Sequence, residues 1–107
     1  IDIGLIGPDY DGNERTVSIC VKDNFSPYDR NLTGKLIAEA EANDIKHAID
    51  IFYRYGTDAN AAVRAGNNVR GAAFGMACYC SHGMERTHLD GVVETAKLAV
   101  AYMMDWK

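Results

Sequence analysis

The spacing of apolar positions along the chain changes several times, and each change marks an element. Residues 1–6 are apolar apart from one aspartate and read as a short, buried strand. Residues 7–13 are rich in turn formers and read as a loop. Residues 16–22 are β-branched and alternate in part, as a strand does. The turn Ser26-Pro27-Tyr28-Asp29 leads into a helix over residues 30–43, in which Leu32, Leu36, Ile37 and Ala40 recur at helical spacing. Ser26 or Asp29 can cap its first N–H groups. Residues 47–55 read as a strand that Gly56 ends, and Thr57 is expected to N-cap a short helix reaching Ala65. Gly66-Asn67-Asn68 suits a left-handed stop. Residues 69–77 form another apolar strand, followed by a loop over residues 78–86. Thr87 and Asp90 have the spacing of a capping box at the start of a last helix, residues 88–104. Val92, Ala96, Ala99, Val100 and Met103 are its expected buried stripe. The order β-β-α-β-α-β-α predicts an α/β fold, a mixed sheet covered by helices.

Composition narrows the possibilities. The 107 residues suffice for one core, and 48% hydrophobic with 24% charged residues is an ordinary globular balance. A net charge of -4 without a basic stripe argues against nucleic acid as a partner. No apolar run approaches the ~20 residues that cross a bilayer, and no signal-peptide pattern is visible. No membrane association and a cytoplasmic location are therefore expected. The chain opens at Ile1 in mid-strand, so a piece of a longer polypeptide is expected. Cys20, Cys78 and Cys80 are odd in number and do not form a disulfide framework. Cys78 and Cys80 would share a face if both lay on a strand, which leaves a zinc or redox pair open beside the commoner buried free thiol.

In α/β sheets functional groups gather at strand ends, and three such ends are chemically rich here. Asp2 lies in the first strand, where a carboxylate in an apolar run is costly to bury without a cationic partner. Gly56-Thr57-Asp58 follows the third strand. Ser81 to His88, with two histidines and a glutamate, follows the fourth. A histidine in a glycine-bearing loop can be a ligand or a base; the same loop can equally be a solvated one whose charges cap the next helix. The chain has no H-E-x-x-H, P-loop, G-x-G-x-x-G or G-x-S-x-G. No carboxylate pair is placed for glycoside hydrolysis.

Four strings, in order, carry a resemblance. Ile1-Asp2-Ile3-Gly4 resembles a segment of the M42 metallo-aminopeptidases that supplies an aspartate ligand. Residues 22–29, from Lys22-Asp23 to Ser26-Pro27-Tyr28-Asp29, resemble that family's turn before a helix. Tyr55-Gly56-Thr57-Asp58-Ala59 resembles its GTDA segment. Ser81-His82-Gly83-Met84-Glu85-Arg86-Thr87-His88 resembles a version of its last metal-ligand loop. The family includes glutamyl and deblocking aminopeptidases, and some members carry cellulase or endoglucanase names.

The resemblance implies that residues 1–107 are a single C-terminal segment of a metallopeptidase catalytic domain. It implies two divalent ions, zinc or cobalt, in the full-length enzyme, with peptides as substrates and a homo-oligomeric assembly. Such a site activates water for attack on the first peptide bond, with a glutamate as general base. Residue by residue, the resemblance carries over only two metal ligands, Asp2 and His82. In other branches the ligand histidine lies four residues before the loop's glutamate, a place held here by Ser81, so His82 requires a one-residue difference in the loop. His88 is the competitor, at the predicted helix start. Both ligands are expected on one edge of the sheet, with Glu85-Arg86-Thr87 bracing the loop through an ion pair and a cap. The general base and the remaining ligands would lie upstream of Ile1, so the segment alone is expected to be inactive. The alternative is a non-catalytic α/β binding or oligomerisation module.

Overall fold

Alternation along one central strand builds both sides of the molecule. The computed structural model describes residues 1–105. Its elements are β1 (Gly4–Leu5), β2 (Val17–Asp23), α1 (Arg30–Ala42), β3 (His47–Phe52), α2 (Asp58–Arg64), β4 (Ala73–Cys78) and α3 (Leu89–Met104). The predicted α/β order stands, although β1 is shorter than residues 1–6 because only Gly4 and Leu5 are both paired and buried. The four strands form one mixed sheet in the order β1-β4-β2-β3. β1 runs parallel to β4 and β3 parallel to β2, while β2 and β4 are antiparallel.

Val17 and Ile19 of β2 point to one face, where α1 and α3 supply Leu36, Ala40 and Leu98 and Ile45 completes the core. Each of the large apolar side chains there gains roughly 1.5–3 kcal/mol from burial. Cys20 points to the other face and packs with Leu5, Tyr28, Phe52 and Ala73, over which Tyr10 and Ala59 of α2 lie. This second face has no long helix. The loop from residue 6 to 13 crosses it, held by Asp50, a buried carboxylate that accepts the N–H groups of Asp11 at 2.8 Å and Gly12 at 3.0 Å.

Asp29, one of the two candidate caps, caps α1 by accepting the Leu32 N–H at 2.8 Å. Glu39 of α1 is buried and accepts from the Asn43 amide. Gly66 has φ +92, as a left-handed stop requires.

Two expectations for α3 are corrected. Its N-cap is His88, whose Nδ1 accepts the Asp90 N–H at 2.9 Å, while the Thr87 hydroxyl donates to the Ala77 carbonyl instead. Its buried residues are Gly91, Glu94, Thr95 and Leu98, whereas Val92, Val100 and Met103 of the predicted stripe are 40%, 54% and 64% exposed. Gly91 sets the rotation. A Cβ there would lie 2.5 Å from the Glu14 carbonyl oxygen, so the helix seats its glycine at the point of closest approach and turns Thr95 and Leu98 inward with it. Glu94 tolerates the buried side because it accepts the Lys46 N–H at 2.8 Å and pairs with Lys97 at 3.0 Å. None of the described helices is long and apolar enough to cross a membrane.

Candidate functional site

The strand directions divide the chemically rich loops. The C-terminal ends of β2 and β3 share one end of the sheet with the N-terminal ends of β1 and β4, and the loop after β4 leaves from the opposite end. Asp2 and Gly56-Thr57-Asp58 belong to the first end. His82 follows the C-terminus of β4, yet its loop folds back so that His82 and Asp2 line one cleft. That cleft, of about 270 Å³, is lined also by Ile3, Leu5, Phe52, Tyr55 and residues 56–58.

Asp2 reaches the cleft because Gly75 has no side chain. The Asp2 N–H donates to the Phe74 carbonyl at 3.1 Å, and a Cβ on Gly75 would sit 1.7 Å from the Asp2 carbonyl oxygen. The residue is exposed rather than buried, which removes the argument that a carboxylate in an apolar run must be desolvated. Its carboxylate accepts the N–H of Ile3 at 2.8 Å.

The loop carrying His82 is a closed structure. Tyr79 and Arg86 exchange backbone hydrogen bonds of 2.8 and 3.2 Å, and the Gly83 N–H donates to the Cys80 carbonyl at 2.8 Å. Cys80 and His82 both adopt positive φ, 57° and 67°, a conformation rare for residues with a Cβ. The Glu85 carboxylate accepts the His82 N–H at 2.9 Å. The ion pair expected of this run is made by Arg86 with Glu14, at 3.6 Å, and Arg86 also lies over the Tyr79 ring at 4.7 Å. The imidazole of His82 stacks on the Tyr55 ring, with centroids 5.8 Å apart and planes 14° from parallel. His88 is committed to capping α3 and does not line the cleft. The left-handed turn at Cys80 also separates the two thiols, leaving Cys78 buried at the strand end and Cys80 exposed, so the C-x-C pair does not share a strand face.

Asp23 is the residue that ties the cleft wall together, and sequence reasoning saw only its turn. It is 1% exposed. It accepts the N–H groups of Phe25 at 2.8 Å, Ser26 at 3.2 Å and Thr57 at 3.1 Å, and the Tyr28 hydroxyl at 2.9 Å. Burial pushes its carboxyl up, but the Phe25 N–H, with Asn60, Tyr28 and Ser26, outweighs burial and holds it below the usual carboxylate range. The Tyr28 phenol, buried and donating to Asp23, is pushed up and stays protonated. Tyr28 also meets the Thr57 hydroxyl, so Thr57, although it is the N-cap of α2, caps nothing with its side chain.

Three carboxylates, Asp2, Asp23 and Asp58, line the cleft with one imidazole and no lysine or arginine. Carboxylate and imidazole are donors suited to zinc or cobalt. Among the described residues, however, no group of three or more His, Cys, Asp or Glu is placed to hold an ion. The cleft therefore fits part of a metal centre, with further donors required from elsewhere.

Comparison with known proteins identifies the fold and the family. A solved dodecamer, PhTET1-12s, superposes with a TM-score of 0.82 over 97% of this chain and 32% of its own, at 23% identity. That likeness is one of fold, and the mixed sheet with its three helices is shared. YhfE of Bacillus subtilis (strain 168), whose name assigns it provisionally to the aminopeptidases, is 39% identical over 103 residues, covering 96% of this chain. The chain spans 30% of the length of that relative. Residues 1–98 match the family model of the M42 glutamyl aminopeptidases, and the chain belongs to that family.

Proposed function

We propose that this chain is the C-terminal segment of the catalytic domain of a two-metal aminopeptidase that removes N-terminal residues from peptides. The observation that carries the reading is the meeting of Asp2 and His82 in one cleft, although they lie 80 positions apart and reach it from opposite ends of the sheet. In the longer polypeptide Asp2 would hold one divalent ion and His82 the other. A bound pair of ions, zinc or cobalt, supplies Lewis acidity and lowers the pKa of water. The chain's own part is to orient. Asp23 holds the Thr57 backbone, and the two residues stand in one wall of the cleft, while the hairpin-like loop presents His82 from the other. The acidic lining favours the free ammonium terminus of a peptide. The glutamate that moves the proton would come from the part of the enzyme upstream of Ile1.

The exposed apolar stripe of α3 supports a larger body. Val93, Ala96, Val100 and Met104 line an open groove of about 620 Å³ with Ile45, a surface suited to cover by more polypeptide. A homo-oligomer accords with the dodecameric neighbour, and three free cysteines accord with a cytoplasmic location. The test is turnover of aminoacyl-p-nitroanilides by the longer protein, after chelation and after return of zinc or cobalt. Metal-restored release of p-nitroaniline is expected. Turnover that survives complete chelation overturns the reading.

A further inference from the structure

We propose that Tyr55 is a positioning residue that fixes the plane of the His82 imidazole, and so the plane in which an ion at His82 must lie. The inference rests on the reading of His82 as a ligand and adds a residue to that site.

The geometry is specific. His82 sits at the tip of an exposed loop in a left-handed conformation, and only its backbone N–H is tied down, by Glu85. Its ring nitrogens carry no hydrogen bond among the described residues. The remaining constraint on the ring is the near-parallel stack on Tyr55, 14° between planes. The backbone that carries the Tyr55 ring is itself held: its N–H donates to the Phe52 carbonyl at 3.3 Å, and its carbonyl accepts the Asn24 N–H at 2.9 Å. Asn24 lies in the turn that Asp23 organises. The platform is thus continuous with the buried carboxylate network, whereas the histidine stands on a surface loop.

The donor lone pair of an imidazole lies in the ring plane. A partner on the ring's face therefore blocks neither nitrogen while removing rotation about the side-chain bonds. Metal-bound histidines are usually oriented by a hydrogen bond to the second ring nitrogen. Here a flat aromatic surface takes that task. Any planar aromatic ring should serve, and the Tyr55 hydroxyl is not needed.

The test uses the full-length enzyme and zinc itself. Zinc affinity is measured by competition with a chromophoric chelator for wild type, Tyr55→Phe, Tyr55→Leu, Tyr55→Ala, His82→Ala and the Tyr55→Leu/His82→Ala double variant. Circular dichroism confirms folding, and the leucine variant, which keeps apolar bulk, carries the test if the alanine variant does not fold. The phenylalanine variant should bind zinc within about twofold of wild type. The leucine and alanine variants should bind one of the two ions about tenfold more weakly, the low end of the effect of removing a group that orients a ligand. In the His82→Ala background, Tyr55→Leu should add nothing. Wild-type affinity in Tyr55→Leu overturns the proposal, as does an equal loss in Tyr55→Phe or an additive loss in the double variant. If His82→Ala retains both ions, the ligand assignment itself falls, an outcome separable from failure of the stack alone.

Discussion

The carboxylate of Asp23 accepts the backbone N–H of Thr57 at 3.1 Å across 34 residues of sequence. This one bond joins the end of β2 to the start of α2, and with the Tyr28 hydroxyl it makes a buried, charged hub under the cleft.

Asp23→Asn should destabilise the chain by about 1–3 kcal/mol at pH 7, because a hydrogen-bonded buried anion is replaced by an amide that cannot accept as many donors. The folded carboxyl lies below its ordinary value. Its contribution is therefore complete above the unfolded pKa of about 3.9 and is lost as pH falls through the depressed folded value. The gap between variant and wild type should narrow in that acidic window. Urea unfolding midpoints between pH 3 and 7 check this, and a gap that stays constant contradicts it.

Two glycines should respond oppositely to the same methyl group. A Cβ at Gly34 meets no atom within 4 Å. Gly34→Ala, inside α1, should stabilise by about 0.5–1 kcal/mol. Gly91→Ala drives a methyl to 2.5 Å from the Glu14 carbonyl, and should cost about 1–3 kcal/mol despite the gain in helix propensity. Thermal melts of both variants decide it, with Tm expected to rise for the first and fall for the second.

The histidines should also separate. His88→Ala removes the imidazole that caps α3, a loss of about 0.5–2 kcal/mol, while most peptidase activity in the longer enzyme remains. His82→Ala should leave stability within about 0.5 kcal/mol but abolish activity and lower metal content. Elemental analysis and peptidase rates on both variants test the assignment, and the reverse pattern would exchange their roles.

The segment by itself should show no aminopeptidase turnover with added zinc or cobalt. Two ligands are proposed here, and among the described residues no group of three donors is placed to hold an ion. Clear metal-dependent hydrolysis of an aminoacyl-p-nitroanilide by the pure segment would contradict the division of the site between this chain and the rest.

Local patterns were readable in the sequence because they depend on neighbours. The element order, the Asp29 cap and the Gly66 stop follow from spacing and from backbone chemistry within a few residues. The stripe of α3 was misread because two sets of positions have helical spacing. The choice between them was made by a close approach between Gly91 and Glu14, far apart in sequence. Asp23 and Asp50 escaped notice for the same reason: a buried aspartate looks like any other in sequence, and the N–H groups that justify it come from a turn or from a loop 38 residues away. The stack of Tyr55 on His82 left no local signal either, beyond a tyrosine beside the glycine that ends β3.

The antiparallel join between β2 and β4 has a consequence for motion. Because β4 runs against β2, the loop that closes the cleft departs from the far end and returns over the second face, anchored by the Tyr79–Arg86 bridge and by Thr87 on Ala77. On the opposite face of the sheet, Val17, Ile19 and Leu98 are fully enclosed. Opening the loop thus requires no disruption of the sheet, and the two processes have separate free energies. Amide protons of residues 80–85 should exchange through local excursions, and those of β2 only through global unfolding. An ion bound at His82 in the longer enzyme would then act as a latch, slowing exchange in the loop while leaving β2 unchanged. Its affinity would be reduced by the entropy of the loop it must still.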